Sequence, residues 1–374
     1  MLTGNSIGRK FTVTTFGESH GKVVGVLIDG CPAGLALSES DFREELEQRV
    51  PNNPKIVSAR MEKDSPQIWS GVFNGYTTGA PLTLTVENKE TRSSDYEALK
   101  NRPRPAHSDY PAHIRYGGFN DYRGGGRFSG RLTVALIMAG VVAKKLLAHH
   151  HIEVLAYTQA IGPIGSQKEF SPAQIKENYK TTSTRCPDLA DAAKMEEAIM
   201  AAKEANDSLG GVIKCLALNM PPGIGEPLFD TLDGDLAKAL FSIPAVKGVE
   251  FGAGFRASQL RGSENNDAYH IKDGQVKTIT QNAGGVLGGL SNSMPIVIQV
   301  AIKPTPSIAK EQQTVDLVSM ENTQISIKGR HDYCVVPKAV PVVEAMVAIT
   351  LTDHLMRAGK IFQTLRETKD ESNR

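Results

Sequence analysis

Cysteine is scarce in this 374-residue chain. Cys31, Cys186, Cys215 and Cys334 stand far apart and form no C-x-x-C pair, so neither a disulfide framework nor a zinc knuckle is expected, and a reducing cytoplasm is the simplest home. Net charge is lacking as well: 42 lysines and arginines face 41 acids. That balance excludes a globally polycationic nucleic-acid binder and an acidic solvating tail. No apolar run is long. The longest, Leu132 to Ala143, contains Thr133 and Gly140, stops at Lys144-Lys145, and is too short to span a bilayer. Met1 to Asn5 lacks a basic segment leading into an apolar one, so no signal or transit peptide and no membrane partner are expected. Regular alternation of parallel strands and helices is missing too, which argues against a Rossmann sheet.

What is present is repetition. Sliding the chain against itself sets Gly71–Ser93 over Gly285–Ser307, with eight identities in 23 positions, among them Gly75/Gly289, Pro81/Pro295, Lys89/Lys303 and Ser93/Ser307. After each proline the apolar residues alternate (Leu82, Leu84, Val86; Ile296, Ile298, Val300), the period-2 signature of a strand with one buried face. Upstream, Val23–Gly34 resembles Val212–Gly223, a strand closed by a Pro/Gly turn. Downstream, each copy reaches a His/Asp/Tyr cluster, at His107 and His331, and then an apolar helix, expected over Ser129–Leu147 with Ser129 as N-cap and over Val340–Met356. These features predict one domain with two pseudo-equivalent halves, roughly 1–150 and 210–360. Residues 151–209, with an acidic, alanine-rich helix from Asp188 to Asn206, would connect them. Hairpin spacing of Phe11–Phe16 with Lys22–Asp29 favours an α+β fold of mixed, largely antiparallel sheets packed on helices.

Three motif matches fail on context. Gly17-Glu18-Ser19-His20-Gly21 fits G-x-S-x-G, but a second strand follows where a nucleophile elbow needs a helix. Gly252-Ala253-Gly254-Phe255-Arg256-Ala257 fits a dinucleotide fingerprint, yet Ser258–Asp267 is polar and glycine-broken and reads as non-helical. His149-His150-His151 closes a helix, where cations suit the dipole better than a metal would; no metal site is expected.

The strongest chemical signal is local charge. From Lys100 to Arg131 seven cations (Lys100, Arg102, Arg104, Arg115, Arg123, Arg127, Arg131) face only Asp109 and Asp121, an excess that calls for an anionic partner. Within it Arg123-Gly124-Gly125-Gly126-Arg127-Phe128-Ser129 runs toward a helix, so glycine amides, a helix N-terminus and arginines could together grip an oxyanion. A non-catalytic phosphate- or RNA-binding module remains an alternative reading of this segment. His20, in a tight strand-to-strand turn, and His107, among Arg102, Arg104 and Asp109, are placed to be proton donors.

The combination GESHG (Gly17–Gly21), RPRPAHSDY (Arg102–Tyr110), DYRGGGRFSGR (Asp121–Arg131), AVKGVEFGAGF (Ala245–Phe255), RGSENND (Arg261–Asp267), GGVLGGLSNS (Gly284–Ser293), KPTPSI (Lys303–Ile308) and GRHDYC (Gly329–Cys334) resembles the chorismate synthases over nearly the whole chain. The resemblance implies a β-α-β sandwich, a homotetramer, and loss of phosphate and a proton from 5-enolpyruvylshikimate 3-phosphate with reduced FMN but no net redox change. It further implies that His107 protonates the departing phosphate. His20 would donate to the reduced flavin, with Ser19 and Ser129 as hydroxyl relays, and Asp332 would help the flavin act as base. Arg49, Arg104, Arg131 and Arg330 would meet the substrate's phosphate and carboxylates. Arg127, Phe128, Ser129, Ala245, Gly288, Arg330 and the run Lys303, Pro304, Thr305, Pro306, Ser307 would hold the flavin. No reductase segment is recognisable, so an external reductant rather than the chain's own use of NADPH is expected. Phe128 and Lys55 depart from the family pattern, which has serine and arginine there.

Overall fold

Val23–Asp29 carries Val24, Val26 and Ile28 on one face, and these side chains are wholly buried. In the computed structural model, which describes residues 4–49, 53, 64–89, 96–97, 99–166, 168–179, 181–327 and 332–365, this strand is the middle of a five-stranded sheet. The order is Ser6–Ile7, Thr12–Gly17, Val23–Asp29, Leu82–Glu87, Gln67–Ser70, and every pairing is antiparallel. A second antiparallel sheet runs Val246–Phe251, Ile296–Ile302, Gly211–Leu218, Glu153–Ile161, Ile164–Gly165.

Between the sheets lie two helices. Thr133–Ala148 packs on the first sheet, Val336–Arg357 on the second, and each on the other. Both are buried nearly all round, as the absence of a polar face in their sequences requires. Gly140 lets their axes close up, since a Cβ there would lie 2.4 Å from that of Ala345. Val336–Arg357 is long and apolar enough to cross a membrane by length and composition, but it forms the buried centre of this sandwich. It starts four residues before the expected Val340 because Pro337 suits a first helical turn, where no N–H is needed.

The layers are fastened by buried polar groups. Lys144 bridges Glu45 (3.0 Å) and Glu344 (2.8 Å), and Glu344 also accepts from the Ala156 amide at 2.7 Å. Burial pushes the Glu344 carboxyl up, against the opposing pull of Lys144. Asp353 accepts the backbone amides of Arg9, Lys10 and Phe11 at 2.7, 2.6 and 3.0 Å, tying the N-terminal segment to the central helix.

The aligned segments stand at corresponding places. Leu82–Glu87 pairs with Val23–Asp29 from Val23↔Glu87 to Ile28↔Leu82, and Ile296–Ile302 pairs with Gly211–Leu218 from Gly211↔Ile302 to Ala217↔Ile296, the equivalent pairs being Val212↔Ala301 to Ala217↔Ile296. The hairpins before them match residue for residue: Val72↔Thr77 and Phe73↔Tyr76 in one, Val286↔Ser291 and Leu287↔Leu290 in the other. Thr77 Oγ1 donates to Pro32 O and accepts from Leu35 N at 2.6 and 2.9 Å; Ser291 Oγ does the same with Pro221 O and Ile224 N at the same distances.

Two expectations change. The stretch 151–209 is more than a connector: Glu153–Ile161 buries Val154, Ala156 and Thr158 and is a core strand of the second sheet. Its helix is Leu189–Glu204, with Asp188 as the N-cap accepting from Ala190 and Asp191. Ser258–Asp267 is also partly helical, with a 3-10 turn at Gly254–Gln259 and one α-turn at Gly262–Asn265. Glu264 reaches back to the Arg261 amide at 2.9 Å, a local capping bond that offsets the poor helix propensity.

Candidate active site

The turn that carries His20 follows from glycine. Gly17 has φ +89°, and a Cβ there would sit 2.2 Å from Val23 O, so no other residue closes this hairpin without strain. Ser19 N–H donates to Gly126 O (3.2 Å) and Gly21 N–H to Glu18 O (3.1 Å). Ser19 is fully buried, and its Oγ has no hydrogen-bond partner among the described residues. His20 is 9% exposed and meets Tyr96 edge-on, with ring centroids 5.1 Å apart.

Against it lies the triple-glycine turn. Gly124, Gly125 and Gly126 all have positive φ. A Cβ on Gly124 would fall 2.3 Å from the His20 ring, and one on Gly125 would fall 3.3 Å from His107 Cε1. Two histidines far apart in sequence thus flank neighbouring glycines. This corrects the expected amide cradle in two respects. The Gly125 amide is engaged with Tyr122 O at 3.2 Å. The α-helix begins only at Thr133, after a 3-10 turn whose cap is Ser129, accepting from the Arg131 amide at 3.3 Å. The glycines are needed for close approach of side chains.

His107 belongs to a buried charge cluster. Arg104 grips Asp109 through Nε (2.7 Å) and Nη2 (2.8 Å), and His107 Nδ1 lies 2.6 Å from Asp109 Oδ1. Burial alone would raise the Asp109 carboxyl, but hydrogen bonds and charge from Arg104 and His107 outweigh it and hold the group well below the usual carboxylate range. An ionised Asp109 accepts only, so Nδ1 carries hydrogen and Nε2, beside Gly125, is the nitrogen left to exchange a proton.

The second half reaches the same place. Arg104 Nη1 donates to Ser307 Oγ at 3.1 Å, and Lys303 Nζ donates to Ala106 O at 2.9 Å. Lys303 N–H donates to Ala245 O at 2.9 Å. Ala106 (φ +58°) and Ala245 (φ +73°) are both held in a strained, left-handed conformation. Burial and nearby Lys247 lower the Lys303 ammonium. Thr305 O accepts from Ser208 Oγ at 2.7 Å, while Leu209 N–H bonds Tyr333 O at 2.8 Å. Asp332, paired with Lys338 at 2.6 Å, directly precedes Tyr333 and so is linked to the Lys303–Ser307 loop through Ser208-Leu209.

Arg49 and Arg131 meet at Asp64, at 2.8 and 2.5 Å. Arg102 pairs with Asp316 at 3.1 Å and Arg123 with Asp121 at 2.8 Å. The excess charge of the basic segment, read from the sequence as a call for an external anion, is answered in part within the chain. Four of its seven cations hold carboxylates, and two of those acids, Asp64 and Asp316, come from elsewhere in the chain, where a local count cannot see them. Neither Asp64 nor Asn88, which accepts from Arg131 Nε at 2.9 Å, stood out in the sequence. Asp64 carries no motif; Asn88 is a polar residue directly after an alternating strand, a weak mark.

Arg127 donates to Asn5 Oδ1, Thr15 O and Thr15 Oγ1, and its Nη1 is buried without a partner among the described residues. Burial lowers its guanidinium pKa. With Phe128 and Ser129 it lines a cavity of about 1110 Å³ whose floor includes Leu132, Leu136, Met346 and Ile349. Ala245, Gly288 and the Lys303–Ser307 run, Pro304 and Pro306 included, are not among the residues lining it. Gly288 (φ +59°) sits at an exposed hairpin tip that its backbone angle explains. Arg330 and Lys55 lie outside the described residues.

Comparison with known proteins gives one result throughout. The family model described as chorismate synthase matches residues 11–356. A Dehalococcoides mccartyi protein named chorismate synthase is 51% identical over 97% of this chain and 100% of its own length. One from Korarchaeum cryptofilum is 52% identical over 96% and 99%. A crystal structure of chorismate synthase superposes with a TM-score of 0.76 at 32% identity, covering 95% of each chain.

Proposed function

The chain belongs to the chorismate synthase family and is a lyase of aromatic biosynthesis; from that premise we propose that it eliminates phosphate and a proton, anti and 1,4, from 5-enolpyruvylshikimate 3-phosphate, with reduced FMN as cofactor. The observation that carries this reading is the meeting of His20 and His107 across one glycine turn, with Arg104 and the Lys303–Ser307 loop beside them.

His107, with its Nδ1 hydrogen fixed by Asp109, presents Nε2 to protonate the departing phosphate oxygen. Arg104, Arg49 and Arg131, joined by Arg330, would meet the phosphate and the two carboxylates. Arg104 and Arg131 are each 7% exposed, so charge interactions there are far stronger than in open water. His20 serves as the second proton donor, beside the Ser19 hydroxyl; Ser129 is assigned as a further hydroxyl relay, and Asp332 assists removal of the substrate proton.

A flavin is supported by buried polar atoms without partners among the described residues, Arg127 Nη1, Thr305 Oγ1 and Ser19 Oγ, each of which a ligand's phosphate, carbonyl or ring nitrogen would satisfy. Arg127, Phe128, Ser129, Ala245, Gly288, Lys303–Ser307 and Arg330 would hold it. Reduced FMN, when bound, supplies an electron-rich ring to the breaking C–O bond. We assign flavin reduction to an external reductant, the active assembly to a homotetramer and the location to the cytoplasm, the last supported by four buried free thiols. The matched registers of the two sheets support two equivalent halves, 1–150 and 210–360, of one domain. A phosphate- or RNA-binding module gains no support, since most of the basic segment is engaged internally.

Anaerobic protein with chemically reduced FMN should release phosphate from this substrate, and oxidised FMN, with or without NADPH, should support none. Equal turnover without flavin overturns the proposal.

A further inference from the structure

We infer that Asn88 is a positioning residue for His20, a role that rests on the reading of His20 as a proton donor. Asn88 directly follows the strand Leu82–Glu87 and its amide N–H donates to Lys22 O at 3.1 Å. Its side-chain Nδ2 donates to Glu18 O at 3.0 Å and Gly21 O at 2.9 Å, the two ends of the turn that carries His20. Its Oδ1 accepts from Arg131 Nε at 2.9 Å, and Arg131 in turn holds Glu87 O at 3.1 Å and Asp64 at 2.5 Å.

This pattern admits one orientation. Backbone carbonyls only accept and a guanidinium only donates, so the amide must point nitrogen to the turn and oxygen to the arginine. Aspartate would set an anion against two carbonyl oxygens, and alanine would release both ends of the turn. The turn has little slack to absorb that, because His20 is packed against Gly124 with no room for a Cβ and Ser19 N–H is bound to Gly126 O. A relaxed 18–21 turn would therefore move His20 relative to the glycine run and to His107. Asn88 makes no hydrogen bond to His107, Arg104 or the Lys303–Ser307 loop, but it does hold Arg131, so its loss should disturb proton-transfer geometry through the turn and substrate affinity through Arg131.

The test compares N88A and N88D with H20A and with T77V, which removes a two-bond bridge of the same half remote from the histidines. We expect N88A to lose roughly ten- to a hundredfold in turnover at saturating substrate, the signature of misplaced catalytic groups, in addition to the rise in KM that a released Arg131 brings. In flavin-free protein the His20 ring resonance should shift or broaden in N88A while that of His107 stays. T77V should melt lower yet keep its turnover. Should N88A fail to fold, N88D, which still accepts from Arg131, carries the same expectation. An N88A or N88D loss no larger than that of T77V, or an unmoved His20 resonance, overturns the inference. Normal turnover in H20A would instead overturn the proton-donor reading beneath it.

Discussion

Replacing Asp109 by asparagine removes a charge and almost no volume, which isolates what this carboxylate does for Arg104 and His107. Arg104 and Asp109 side chains are 6% and 14% exposed, so solvent screening is weak. Breaking such a buried pair costs ~3–5 kcal/mol, and because the asparagine oxygen still accepts one guanidinium hydrogen we expect about 3 kcal/mol. The pH dependence has a definite sign. Arg104 and His107 overcome burial and depress the folded-state pKa of Asp109. Wild-type protein therefore holds this advantage above the unfolded carboxylate value of ~3.9 and loses it as the pH falls through the lower folded value. Urea midpoints of wild type and D109N should differ fully at neutral pH and converge only below about pH 4. Turnover should fall ~10²- to 10⁴-fold, because the side chain that holds hydrogen on His107 Nδ1 is weakened and Nε2 is no longer reliably the exchanging nitrogen. Coincident midpoints at pH 7, or phosphate release in D109N indistinguishable from wild type, would refute the argument.

H20A and H107A should each lose ~10²- to 10⁴-fold in phosphate release while circular dichroism stays native. Gly124→Ala puts a Cβ into the His20 ring at a φ of +59° and should cost ~1–3 kcal/mol in melting experiments. Gly130→Ala, with nothing within 4 Å of the new atom, should be neutral or stabilise by ~0.4–1 kcal/mol; similar losses in both would refute the packing argument. Burial pushes the Cys31 and Cys334 thiols up to about 12 and Cys186 to about 11, and Cys215 well above its ordinary value. Native protein should therefore resist a disulfide thiol reagent at pH 8 and expose all four sulfurs in urea, and rapid native labelling would contradict this burial.

Much of the fold was legible in the sequence because it depends on local rules. Leu82, Leu84 and Val86, like Ile296, Ile298 and Val300, could bury one face only as strands, and the identities Gly75/Gly289 and Pro81/Pro295 marked the same segment twice. The alanine-rich, acidic run after Asp188 marked its helix, and the motifs around His20, His107 and Lys303 indicated the family. Tertiary structure decided the rest. The basic segment read as uncompensated charge, but how far a cation is answered within the chain depends on which acids come near it after folding, and Asp64 and Asp316 arrive from distant segments to meet Arg131 and Arg102. Glu153–Ile161 became a core strand because Gly211–Leu218 offered it an edge, a choice made between strands. The glycine run was recognisable as special, yet its purpose, admitting two histidines to adjacent positions, and the part of Asn88 in clamping the turn beside it, are properties of approach between segments. Periodicity and capping are set by the backbone within a few residues, whereas pairings of this kind exist only once the chain has closed on itself.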